Sequence, residues 1–78
     1  MAGPVKRSLT IAGHATSVSL EPLFWAALEQ AAVDLALPLN ALVAEIDAER
    51  SAVADPSNLA SALRTWLFLR LQNAASRP

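Results

Sequence analysis

The sequence predicts a mainly α-helical domain: a short N-terminal β-ribbon or hairpin with three helices behind it, paired with a second copy of itself. Three observations carry this expectation. The run Thr16-Ser17-Val18-Ser19-Leu20 alternates larger with small residues, as a strand with one buried face does, and feeds straight into Glu21-Pro22. Apolar residues then recur at helical spacing in three stretches, separated by breaks that contain proline. Finally, 54% of only 78 residues are hydrophobic, more than so small an interior can hide, so association is expected.

Residues 1–5 read as a frayed tail, residues 6–73 as a single domain, and residues 74–78 as a disordered tail. The strand region covers 7–20, but its parity changes halfway: Leu9 and Ile11 are odd-numbered, whereas Thr16, Val18 and Leu20 are even. The switch falls at Gly13-His14. Two geometries repair it: a bulge at Gly13 in one long strand, or a two-residue turn with glycine first, which suits type II′. In that hairpin Ile11 would face Thr16 and Leu9 would face Val18. The larger apolar residues then share one face, and Ser8, Thr10, Ala12, Ala15, Ser17 and Ser19 form the other. Turn chemistry favours the hairpin, with the bulged strand as the alternative.

The first helix is expected over about 22–36. Pro22 suits a first helical turn, and Glu21 lies favourably against the helix dipole. Phe24, Leu28, Ala31 and Leu35 recur along one face, widened by Trp25, Ala27 and Ala32. Pro38 should stop this helix and open the second, over about 38–50, because a residue before proline is pushed out of the α region. Leu39, Leu42, Val43 and Ile46 give the second helix its apolar stripe, with Asn40, Glu45, Asp47 and Glu49 outward. Residues 51–57 read as a loop, with Ser57 or Asn58 as N-cap of a third helix over about 58–72. That helix carries Leu59, Leu63, Trp66, Leu67 and Leu71 on one face.

Charge and composition restrict function. The chain has no cysteine and one histidine, which excludes a disulfide framework and a thiolate metal site and leaves no basis for a zinc cluster. No metal or cofactor is expected. The net charge of −1 is unevenly spread: +2 over residues 1–20, −6 over 21–55 and +3 over 56–78. A whole-chain argument for nucleic-acid binding therefore fails, while a local one holds for the N-terminal segment with Lys6 and Arg7. There is no nucleophile elbow, phosphate-cradling glycine loop or supported pair of carboxylates, so no catalytic residue is assigned and enzymatic activity is not expected. Without an apolar leader or a run near the roughly 20 residues that span a bilayer, the default is a cytoplasmic protein with no membrane partner.

The order of strand, helix, tight turn and helix resembles the ribbon-helix-helix family. The stretch from Arg7 through Gly13-His14 and Thr16-Ser17-Val18-Ser19-Leu20 to Pro22 looks like the N-terminal half of a bacterial branch of that family. Leu39-Asn40-Ala41-Leu42-Val43-Ala44-Glu45-Ile46-Asp47 and Asn58-Leu59-Ala60-Ser61-Ala62-Leu63-Arg64 look like its later parts. The resemblance spans residues 7–70 and includes an extra C-terminal helix. It implies an intertwined homodimer whose paired strands lie in the DNA major groove, hence a small transcriptional regulator. By position, Thr16, Val18 and Leu20 would face the core, while Ser17 and Ser19 would face the bases, with Ala15 at the edge. The family also holds a phosphate at the N-terminus of its second helix, here the backbone amides of Leu39 and Asn40. The local basic charge, apart from the resemblance, makes Lys6 and Arg7 candidate phosphate contacts.

The chain departs from the family at three points. Family members place Arg, Lys, Asn or Gln on the ribbon, because those side chains make bidentate contacts with base edges; here only hydroxyls are offered. Pro38 replaces the usual Ser or Thr cap of the second helix. A hairpin in each chain would give a four-stranded dimer sheet, roughly 15 Å across its backbones, against a major groove about 12 Å wide.

Other residues have plainer readings. His14 reads as a turn residue, since no base or metal-ligand partner stands near it. Trp25, Leu28, Leu42, Val43, Ile46 and Trp66 are expected to fill the core or the dimer contact. Glu45, Asp47 and Glu49 read as a solvated face that would repel nearby DNA. The run Trp66-Leu67-Phe68-Leu69 is apolar around the whole helix, so the third helix is either buried in the dimer or offers a surface to a protein partner. Two alternatives to the DNA-binding regulator follow: an interaction module that keeps the fold without specific DNA binding, or an antitoxin-like dimer that binds both DNA and a partner.

Overall fold

The computed structural model of the protein describes residues 3–51 and 58–75. An antiparallel hairpin of Val5–Ile11 (β1) and His14–Leu20 (β2) leads into three helices, Pro22–Asp34 (α1), Leu39–Ser51 (α2) and Leu59–Ala75 (α3). Of the loop expected over 51–57, Ser51 instead ends α2. Residues 52–57, with Ser57 as one of the two candidate caps, lie outside the described residues, as do residues 1–2 and 76–78 of the expected tails.

The parity switch is resolved by a hairpin, but not by the expected turn. Leu9 pairs with Thr16 and Ile11 with His14, so the two-residue turn is Ala12-Gly13 rather than Gly13-His14. Both turn residues have positive φ, 51° at Ala12 and 81° at Gly13. This is the type I′ pattern, whose twist suits the flanking strands as well as type II′ does. The deciding influence lies at the other end of the hairpin. In the observed register Val5 pairs with Leu20, and the Val5 carbonyl accepts a 2.9 Å hydrogen bond from Nε1 of Trp25. Val5, read from sequence as part of the tail, is therefore the first residue of β1.

One face of the hairpin is closed by the helices. Leu9, Ile11, Val18 and Leu20 are buried against Trp25, Leu28, Ala31 and Ala32 of α1, Leu42, Val43 and Ile46 of α2, and Leu63 and Leu67 of α3. Packing of α2 against β1 and of α3 against β2 places the helices behind the sheet. Thr16 and Trp66 are half-buried at the margin of this core. Leu35 and Leu71, expected on buried stripes, are 44% and 68% exposed. Leu35 is the cap residue beyond α1, and Leu71 lies in the last turns of α3, where residues 71–75 are all exposed.

Helix ends follow local chemistry. α1 stops at Asp34, ahead of the boundary that Pro38 alone implies, because Ala36 adopts φ 57°. The Leu37 amide then donates to the Ala32 carbonyl at 2.9 Å and the Ala36 amide to the Val33 carbonyl at 3.0 Å. Those two bonds are a Schellman motif with alanine where glycine is usual. Pro38 caps α2 through its carbonyl, which accepts from the Leu42 amide, so the helix begins at Leu39 rather than at Pro38. Asn58 caps α3, its Oδ1 accepting from the Ala60 amide at 2.8 Å. α3 continues through Ala75, past the expected end at 72.

Two alanines thus sit in the left-handed region, where a Cβ costs about 1–2 kcal/mol. Ala12 and Ala36 are both exposed, so trimming either to glycine removes little packing. Ala12→Gly and Ala36→Gly should each raise unfolding stability by about 1 kcal/mol and act additively. Urea denaturation of the single and double variants checks this; a loss of stability in either would contradict the backbone assignment.

Candidate nucleic-acid interface

The register divides the hairpin into two chemically distinct faces. Directly opposed residues point to the same side, so Arg7, Leu9, Ile11, Thr16, Val18 and Leu20 face the helices. Lys6, Ser8 and Thr10 of β1 face outward with Ser19, Ser17 and Ala15 of β2. Burial agrees: every outward residue is exposed except Ser19, which is half-buried. The outer face carries a cation and four hydroxyls but no carboxylate.

The turn also sets which backbone groups remain open. A two-residue turn closes with a hydrogen-bonded pair, here Ile11 with His14, and such pairs alternate with non-bonded ones along the ladder. The amides and carbonyls of Ala15, Ser17 and Ser19 therefore point to the free edge of β2. Those of Lys6, Ser8 and Thr10 point to the free edge of β1. Beside β2 lies an open groove of about 660 Å³, lined by Ser17, Val18 and Ser19 together with Arg50, Asn58, Ser61 and Arg64. Three consecutive strand residues line it although their side chains alternate between faces, which marks it as a space along the strand edge.

The structure separates the two basic residues singled out from sequence. Lys6 stands on the outer face beside Ser19. Arg7 lies on the inner side, its guanidinium 4.6 Å from the centre of the Trp25 ring and 3.9 Å from the Glu29 carboxylate. That stacking orients Arg7 toward α1 and away from Ser17 and Ser19. Leu39 and Asn40 are the first two residues of α2, so their amides have no carbonyl a turn earlier within the helix. Among the expected core residues, Val18, Leu20, Trp25, Leu28, Leu42, Val43 and Ile46 are buried. Of the expected acidic face, Asp47 is engaged by Arg50 at 2.7 Å, and Glu45 and Glu49 are exposed.

A long-range tie not visible in the sequence holds the end of the hairpin to α3. Arg64 donates from Nε at 3.1 Å and from Nη2 at 2.8 Å to Oε1 of Glu21, the residue between β2 and α1. The guanidinium also lies 5.6 Å from the centre of the Phe24 ring. Hydrogen bonding from its own backbone amide, and then from Arg64, holds the Glu21 carboxyl below its ordinary pKa, with burial opposing. The partners are 43 residues apart, a separation at which charge alone gives no cue to pairing.

A family model of the ribbon-helix-helix domain matches residues 4–71. The chain belongs to the ribbon-helix-helix family. Ribbon-helix-helix proteins are generally DNA-binding transcription regulators or antitoxins, and the fold is not typically enzymatic. The hairpin followed by three helices is a ribbon-helix-helix arrangement with an added C-terminal helix. No curated protein and no solved structure matches the chain. No helix among the described residues is long and apolar enough to cross a membrane.

The Glu21–Arg64 tie has a pH signature. A carboxyl with a depressed folded-state pKa adds stability at pH above its unfolded pKa and loses that contribution as pH falls through the folded value. Glu21→Gln should therefore melt below the parent protein at neutral pH, with the gap closing as the solution is acidified through the carboxylate range. Thermal melts across that range test this; a gap independent of pH would remove the ion pair from the account.

Proposed function

We propose that the protein is a cytoplasmic homodimeric transcriptional regulator that binds double-stranded DNA through the outer face of its hairpin. The observation that carries this reading is the free edge of β2. The strand bears no lysine, arginine or carboxylate, lacks proline, and presents the open backbone groups of Ala15, Ser17 and Ser19 beside an open groove. Such an edge is a template for pairing, and a second copy related by a two-fold axis supplies an identical one.

Pairing two β2 strands gives a four-stranded sheet with the helices on one side. Its acid-free outer face is left toward solvent. Two copies of Ser17 and Ser19 then stand at the centre of that face, where hydroxyls can meet base edges. The amides of Leu39 and Asn40 are candidate phosphate donors, by position in the family. Serine discriminates bases poorly, so phosphate contacts supply most of the affinity in this reading.

A second reading, an antitoxin-like dual binder, is favoured by one feature. Leu23, Phe24 and Ala27 of α1 and Leu67, Phe68 and Leu71 of α3 line an apolar cleft of about 340 Å³, with Phe68 60% exposed. An amphipathic helix of a partner protein fits such a cleft by its chemistry.

Ser17→Pro tests the leading reading. The Ser17 amide points away from β1, so proline removes no bond within the hairpin while blocking the β2 edge. The variant should keep its helical circular dichroism, sediment as a monomer, and lose DNA binding. The parent should retain random-sequence duplex DNA at low salt, with affinity falling steeply as salt rises. A parent protein that retains no duplex at low salt would overturn the proposal.

A further inference from the structure

We infer that β1 is a phosphate-binding rail: Lys6, Ser8 and Thr10, with their own backbone amides, grip the DNA backbone along the walls of the groove. This rests on the DNA-binding reading above and adds to it the part played by the strand that does not pair.

The register supplies the first argument. Lys6, Ser8 and Thr10 are the outward residues of β1, all exposed, and their backbone groups face its free edge. None has a side-chain hydrogen bond or ion pair among the described residues. Each position therefore offers two donors, an amide and either an ammonium or a hydroxyl. A carboxylate is missing from the whole hairpin. A row of donors without an opposing acid suits the oxygens of a polyanion, the groups that take most hydrogen bonds in protein–DNA contacts.

Dimensions supply the second. Strands lie about 4.8 Å apart, so in a β2-to-β2 dimer the paired strands stand about 2.4 Å from the two-fold axis and each β1 about 7 Å from it. The major groove is about 12 Å wide, which puts its walls about 6 Å from the same axis. The β2 pair fits inside, and each β1 comes to rest over a wall, where the phosphates are. Sheet width, an obstacle if all strands must enter the groove, becomes the means by which the flanking strands reach the backbone. Residues two apart on a strand are about 6.8 Å apart, comparable with the separation of successive phosphates along one DNA strand.

The two strands thus divide the work: β2 meets bases weakly, and β1 supplies affinity without regard to sequence. Two variants test this by fluorescence anisotropy on labelled duplexes of several sequences over a series of salt concentrations. Lys6→Ala should lower the slope of log affinity against log salt by about 2 per dimer, one ion for each lysine, and weaken every duplex alike. Ser8→Ala/Thr10→Val should weaken every duplex by roughly threefold to tenfold while leaving that slope unchanged. Neither residue set is buried, so melting temperature and sedimentation should match the parent. If the parent binds DNA and both variants bind with its affinity and salt slope, the rail is refuted while the DNA-binding reading stands. A change in sequence preference in either variant would also refute it, by assigning β1 to bases. If the parent binds no duplex at all, the earlier reading has failed.

Discussion

A two-stranded hairpin has one face to bury, and covering that face with the chain's own helices constrains almost everything else in this protein. Leu9, Ile11, Val18 and Leu20 close onto α1, α2 and α3, which fixes the inward parity of both strands and therefore the residues left outside. Had the strands slipped by one residue, every side chain would have changed faces. The Trp25 bond to the Val5 carbonyl secures that register far from the turn. Alanine is consequently tolerated at a turn position where asparagine or glycine would be easier.

The same covering leaves two kinds of unsatisfied surface. Both hairpin edges carry unpaired backbone groups, and the outer face carries small donors. The edges differ in character: β1 bears Lys6 among its outward residues, a feature that discourages strand addition, whereas the outward residues of β2 are Ala15, Ser17 and Ser19. This asymmetry links fold to proposed function, since one edge is suited to a second copy and the other to a polyanion. The Glu21–Arg64 tie, at the junction of β2 with α1, anchors that arrangement to α3 beside the groove.

Arg7 shows how far a residue's type can mislead about its role. A basic residue in an acid-free N-terminal segment invites a phosphate contact, yet strand parity turns it inward, onto the Trp25 ring and toward Glu29. Lys6, its neighbour, takes the opposite face. Adjacent positions on a strand point to opposite sides, so one residue of register separates a candidate DNA contact from a packing element. Leu71 is a second case. Its helical spacing matches Leu63 and Leu67, but it stays 68% exposed on the wall of the open apolar cleft between α1 and α3.

Much was legible in the sequence, because the relevant signals are local. Alternation over 16–20, the 3.6-residue spacing of apolar positions, the prolines at 22 and 38, and Asn58 as a cap act within a few residues of themselves, and they determine the order of elements. The parity change between Ile11 and Thr16 called for a turn or bulge by the same local logic. What only the tertiary structure decided was the register of β1 on β2, the stacking of Arg7 on the Trp25 ring, and the meeting of Glu21 with Arg64. These depend on chain segments brought together by burial, whose free energy follows the area removed from water and the shapes that fit. No residue carries a mark of which distant partner it will meet.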